Sequence, residues 1–263
     1  MDDGLRKLAM GLAALALLVL LTACSVDIGI GLGPKGSGIE TSSKRETAAF
    51  SRVDLRGDAD VSIVAGRARS VTVRGDDNLI DRVKTKVEGD TLVISTRSYR
   101  SEIGMSVEIG APALNGVELG GSGAIDVHKL SGTSFSADLS GSGDMKIDGK
   151  VDELELDISG SGETWLDNIS ANDIRLGIGG SGDISASGTT DSLELDIPGS
   201  GEAQLDHLAA LRAQVDISGS GDVSLRATTS LKASISGSGD ISYGGSPRHV
   251  SKKVSGSGTI SAR

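Results

Sequence analysis

The residues with the clearest chemical potential in this sequence are acids placed at a fixed interval. Asp144, Glu163, Asp183, Glu202, Asp222 and Asp240 each directly follow a Gly-Ser-Gly triplet, with Ala124 and Thr259 in that place at the two ends. The triplets begin at Gly121, Gly141, Gly160, Gly180, Gly199, Gly219, Gly237 and Gly256, so the intervals are 20, 19, 20, 19, 20, 18 and 19 residues. A second set, Asp138, Asp157, Asp196 and Asp216, precedes the triplets and is interrupted by Gly177 and Ser234. Carboxylates aligned by a repeat repel one another when solvated and take up a cation when they converge. One chemistry this allows is a calcium-binding repeat. Calcium β-rolls, however, repeat Gly-Gly-x-Gly-x-Asp about every nine residues, and this triplet comes once per coil. The other chemistry is a β-helical polysaccharide-acting enzyme, which needs a distinct carboxylate pair. One acid per repeat fits a uniform face better than a catalytic pair, and Trp165, Tyr99, Tyr243, Phe50 and Phe135 are few platforms for sugar rings. The acids are therefore read as a candidate ladder on a non-catalytic protein, with no cofactor.

The elements that would carry this ladder follow from periodicity. In LELDIS, residues 154–159, the apolar Leu154, Leu156 and Ile158 alternate with Glu155, Asp157 and Ser159, which is the period of a strand. Alternation resumes after each triplet, as in Met145 and Ile147 or Val223 and Leu225. A unit of about 20 residues that cannot bury its apolar face alone must stack on its copies. The expectation is an all-β chain, a parallel β-solenoid with coils of 19–20 residues over an aliphatic core. Each coil reads as strand, Gly-Ser-Gly corner, strand and a variable return loop (DGKVDE, DNISAND, SGTTDS, DHLAALRA, RATTS). Seven intervals at about 4.8 Å extend roughly 34 Å. The triplet glycines are assigned to backbone angles that other residues resist.

Charge divides along the same line. The chain carries 36 acids and 26 bases, net −10. Between Ala111 and Arg263 there are 21 acids and 11 bases; between Lys44 and Gly110 there are 11 and 12. A negative solenoid repels nucleic acid, and no basic run with interleaved aromatics is present. His128, His207 and His249 lack partners at zinc-ligand spacing and read as solvated residues. The Arg-Gly-Asp triplets at 56–58 and 74–76 read as turn chemistry rather than as a recognition signal.

The N-terminus addresses the chain. Arg6 and Lys7 precede an apolar run from Leu8 to Leu21, long enough for a secretory signal and short for a membrane span. Leu21-Thr-Ala-Cys24 resembles a bacterial lipobox, and Cys24 is the only cysteine. Residues 1–23 are read as a lipoprotein signal peptide, Cys24 as the lipidation site and link to a membrane, and 24–46 as a Gly/Ser-rich tether. GLGPKG at 31–36 has no strand before it and no helix after it, so it is not read as a dinucleotide loop.

From Phe50 the phrases FSRVDLRGDADVSIVAG, VTVRGDDNLID, VEGDTLVIS and VEIGAPALNGVELGGSG, followed by the triplets, resemble the auto-transporter adhesin head GIN domain family. The resemblance spans residues 47–263, with the Gly-Ser-Gly repeats at 121–258. It implies a β-helical fold, right-handed in the coil, an exported location and no catalytic residues. The combined expectation is a lipid-anchored envelope protein at the outer membrane, periplasm or cell surface. Its role would be adhesin-like binding of an envelope or surface ligand, or structural support. Its last coil is expected to be blunted by Lys252, Lys253 and Arg263 or to pair end to end with another copy.

Overall fold

The computed structural model describes residues 33–263. The predicted signal segment and Cys24 lie outside the described residues. Within them, strands of two kinds alternate with corners. The first eight are short: β1 (Glu40–Lys44), β2 (Arg52–Arg56), β3 (Asp60–Ala65), β4 (Ser70–Asp76), β5 (Val83–Glu88), β6 (Thr91–Thr96), β7 (Ser106–Ala111) and β8 (Gly116–Leu119). The next six each run through most of a coil: β9 (Ala124–Leu139), β10 (Asp144–Ile158), β11 (Glu163–Ile178), β12 (Asp183–Ile197), β13 (Ala203–Ile217) and β14 (Val223–Ile235). The last full coil is built from β15 (Ile241–Gly244) and β16 (His249–Val254), and β17 (Ile260–Ala262) begins a further one, stacked on β15.

From β9 to β14 every neighbour is parallel and one repeat away, so the predicted β-solenoid, of about seven turns, is the observed fold. Alternation sets the inside. In β10, Met145, Ile147, Leu154, Leu156 and Ile158 are at most 1% exposed, while Lys146, Glu155 and Asp157 between them face solvent. Like positions stack directly, Leu156 on Leu176 and Leu195 on Val215. Each fully buried Leu or Ile contributes roughly 1.5–3 kcal/mol relative to exposure. The stack thus supplies stability that no single coil has.

Two corrections concern the coil. The variable segments read as return loops are strand, paired in register with the coils above and below: Lys150 lies opposite Ser170, and Thr189 opposite Ala209. They form a third side with one or two inward residues per coil: Val151, Ala171, Thr190, Ala210 and Ala227 make one column, and Ile169 and Leu208 are buried beside it. One or two inward residues are too short a run to show a period. Register shifts beside it, as between Asp148 and Lys150, break the alternation further. At the polar member of this column, Thr190, the hydroxyl sits 2.9 Å from the Ser192 carbonyl and 3.1 Å from that of Asn172.

The second correction concerns glycine. Left-handed backbone occurs at the corner before the third side, at Lys129, Asn168, Gly149 and Gly188 with φ of 58°, 52°, 138° and 127°. The Gly-Ser-Gly corners do not use it. Their glycines are required because the coils touch there: a Cβ on Gly141 or Gly160 would overlap the carbonyl oxygen of the glycine directly below. The contact is made by main-chain hydrogen bonds between corners, such as Ser161 N–H to Gly141 O at 3.1 Å and Ser181 N–H to Gly160 O at 3.1 Å.

The first half is not a continuation of uniform coils. Two parallel columns, β7–β3–β9 and β6–β2–β8–β9, end in antiparallel strands: β4 against β7, β1 against β4, and β5 against β6. The 3-10 turn Ile80–Arg82 crosses between them, and Leu79 and Ile80 are buried in the core at this end. The outermost strands, ETSSK and VKTKVE, are polar and charged, which discourages a further strand from adding. The predicted tether therefore stops short of residue 46, because its residues 40–44 are β1. Arg74–Asp76 lies at the end of β4 rather than in a turn. Asp76 is wholly buried, accepting from the Gly38 N–H at 2.6 Å and from the Ser101 hydroxyl. No helix among the described residues is long and apolar enough to cross a membrane.

Candidate functional site

The interior is filled with aliphatic side chains, so chemistry is confined to outward columns. The structure brings the predicted acids into one. Asp144 adjoins Glu163, Glu163 lies opposite Asp183, and the sequence continues through Glu202 and Asp222 to Asp240. The aspartates in this column have a structural task. Asp144 Oδ1 accepts the backbone N–H of Glu163 at 3.2 Å, Asp183 Oδ1 that of Glu202 at 2.8 Å, and Asp222 Oδ1 that of Asp240 at 2.8 Å. Asp240 Oδ1 ends the series on the Thr259 N–H at 2.7 Å and hydroxyl at 2.8 Å. Above Glu163, the Asp183 N–H instead donates to the Gly162 carbonyl at 3.2 Å. Leaving the corner, the backbone turns an N–H out of the strand ladder, and a buried or half-buried donor needs an acceptor. Among the described residues no three His, Cys, Asp or Glu side chains converge as a metal site.

The second acidic column behaves differently. At its start Asp54 is 5% exposed and paired with Arg56, Nε to Oδ2 at 2.7 Å, and Glu118 is held by Arg52 at 3.2 Å. Beyond them Asp138 stands between Glu118 and Asp157. Its carboxyl is pushed above the usual carboxylate range by desolvation and then by those two charges. These acids are not engaged by the corner.

Of the three histidines, His128 faces Asp148, Nδ1 to Oδ2 at 2.8 Å, while the Lys129 N–H donates to Asp148 Oδ1 at 2.9 Å. Desolvation would raise the Asp148 carboxyl, but these hydrogen bonds outweigh it and hold it below its ordinary value. Asp148 thus caps the left-handed Lys129 corner. His207 is exposed near Asp206 at 3.8 Å. His249 lies elsewhere, in a shallow groove of about 710 Å³ that crosses four coils, from Ser192–Glu194 to Arg248–Ser251. Arg212, Lys232, Arg248 and His249 line it, and none of the four forms an ion pair among the described residues. A charge total conceals this cluster. Coil spacing conceals it too: Arg212 and Lys232 are 20 residues apart, but the ladder sets Arg212 opposite Ser230 and Lys232 opposite Gln214, so the two stand in neighbouring columns.

On β16 the inward positions are open, whereas Ile241 and Tyr243 on β15 are covered by β17. Val250 and Val254 are 42% and 44% exposed. Lys252 folds over the Tyr243 ring, its Nζ 4.7 Å from the centroid, and donates to the Ile260 carbonyl at 3.1 Å. Arg263 reaches Asp206 at 4.0 Å.

An all-β solenoid with a capped first end, repeated outward columns and a solid core defines a class of scaffold proteins that display surfaces. Within that class, the family described as "Putative auto-transporter adhesin, head GIN domain" matches residues 49–167 and again 138–247. The chain belongs to this family. Among solved structures it is similar to a "putative lipid binding protein" from Parabacteroides distasonis, at 28% identity and TM-score 0.81, covering 87% of this chain and 98% of that one. It also shares its fold with a "putative adhesin" from the same species, at 24% identity and TM-score 0.79, covering 88% and 100%. A further "putative adhesin", from Parabacteroides merdae, aligns at 21% identity and TM-score 0.79, covering 87% and 98%. No curated protein is similar enough to match the chain. The family points to an adhesin-like, non-enzymatic protein of the surface or envelope.

Proposed function

We propose that this chain is an exported, lipid-anchored envelope protein whose solenoid acts as a rigid, non-catalytic binding head. The observation that carries the reading is the division of labour along the coil. Inward positions are packed solid, corners are consumed by stacking, and the side faces present repeated polar columns suited to an extended partner. Cys24 would carry the lipid, with the residues between it and β1 as the tether. The adhesin and lipid-binding descriptions of the similar structures agree with a binding role. The aspartates of the corner column are already engaged by backbone N–H groups, so contact is assigned to the side faces.

The anchor is tested by growing cells with an alkyne-bearing fatty acid. The wild-type chain is expected to take up the label and to fractionate with membranes. Cys24→Ala should lose the label and leave the membrane fraction; retention of both would overturn the anchor.

A further inference from the structure

We infer that the groove across the last four coils is a binding site for a linear anionic glycan, a sugar chain bearing carboxylate or phosphate groups. The inference deepens the binding role proposed above and rests on it. Its starting point is a mismatch of sign. The solenoid is strongly acidic, yet Arg212, Lys232, Arg248 and His249 share one concave strip. Its sole acidic lining residue, Glu194, is drawn to Arg175 at 3.7 Å. Lys232 donates to Gln214 Oε1 at 3.4 Å and has no carboxylate partner among the described residues.

Charges on an exposed edge strand have an ordinary explanation, since Lys and Arg deter unwanted pairing. It covers Arg248 and His249, which flank or begin β16. It does not cover Arg212 and Lys232, which sit on β13 and β14 inside the stack. Their neighbours across the ladder are Ser192, Ser230, Gln214 and Ser251, not acids. A row of unpaired cations beside neutral hydrogen-bonding residues, in a concavity, focuses positive potential and offers partners to hydroxyl groups.

Shape selects among anions. Coils are about 4.8 Å apart, so four of them make a strip roughly 14 Å long. Arg212 and His249 lie in one column two coils apart, with Lys232 one column over between them. Such spacing suits charges strung along a chain rather than one phosphate clamped from all sides. A bilayer surface is flat and cannot enter the strip, and Asp196 and Asp216 in the adjoining column would face its anionic headgroups. Single-stranded nucleic acid is held largely by base stacking on aromatic side chains, and none lines the strip.

The test uses the full chain and four probes at low ionic strength: a linear polyuronate, uncharged dextran, inorganic phosphate and phosphatidylglycerol-containing vesicles. Calorimetry is expected to show binding of the polyuronate alone, weakened by added salt. Arg212→Gln with Lys232→Gln should weaken it by about tenfold or more. Lys84→Gln with Lys150→Gln, which removes the same charge elsewhere, should change it less than about twofold. Equal losses in the two double variants, no polyuronate binding, or preference for the vesicles or free phosphate would overturn the site. Retention on isolated envelope material is measured in parallel. If the groove variant is retained like the wild type, the glycan site falls and the binding role stands. If the wild type itself is not retained, the role falls too.

Discussion

Two columns of acids run up this solenoid at the same spacing, and they do opposite things. The corner column, from Asp144 to Asp240, turns its aspartates onto backbone N–H groups of the next coil. The side column sets Asp138 between Glu118 and Asp157, where desolvation and like charge push its carboxyl up. One column joins coils, and in the other Asp138 is strained against its surroundings. The difference comes from a few ångströms of backbone path. At the corner the chain leaves the regular ladder and frees a donor, whereas along the side the ladder already satisfies every N–H. Aspartate reaches that donor, and the longer Glu163 leaves the next N–H to a carbonyl.

Breaking the corner itself should have the largest effect. In Gly180→Ala the new methyl would collide with the main-chain carbonyls of Gly160 and Ser159. A cost of about 3 kcal/mol is expected, read as a fall in the unfolding midpoint in denaturant. A midpoint equal to wild type would mean the coils are looser than their hydrogen bonds indicate.

Asp222→Ala should come next, losing about 1 kcal/mol, or roughly 2–4 °C in melting temperature. Asp222→Asn should retain most of that, since its amide oxygen still accepts from the Asp240 N–H. Calcium should leave the wild-type melting temperature unchanged. If Asn proved as harmful as Ala, or calcium stabilised the protein, the column would be working through its charge.

The smallest effect is expected at Asp138→Asn, and its sign is opposite. A carboxyl whose folded pKa is raised favours the folded state when protonated, and that advantage is lost as pH rises through the folded pKa. The variant should therefore melt slightly higher than wild type at pH 7 and match it at pH 3. Asp148 runs the other way: its folded pKa is depressed, so the stability it contributes at neutral pH disappears as pH falls through that lowered value. A melting curve for Asp138→Asn below that of wild type at pH 7 would contradict the strain.

The repeat made the stacked coils legible, because triplets 18–20 residues apart and alternation as in 154–158 leave few other arrangements. It also placed the corner acids in one column. Three things were hidden. The third side carries one or two inward residues per coil, below the length at which alternation can be recognised. The antiparallel end, with β1, β4 and β5, depends on which strand edges meet, and short strands such as VSIV or VTV are alike in either direction. The basic groove assembles from residues of successive coils whose bases do not recur in every unit.

By itself the sequence determined the period, the inside and outside of each strand and the place of the corners. Side-chain direction alternates residue by residue, which is a local rule, and the recurring Gly-Ser-Gly marks the corners, although contact between coils is what demands the glycine there. Tertiary structure alone decided what each outward residue meets, because its neighbours come from a coil about twenty residues away. A neighbouring N–H made one column of aspartates part of the scaffold. Burial and two neighbouring carboxylates put Asp138 of the other under strain, and the lack of an acid partner among the described residues left the Arg212–Lys232 groove charged.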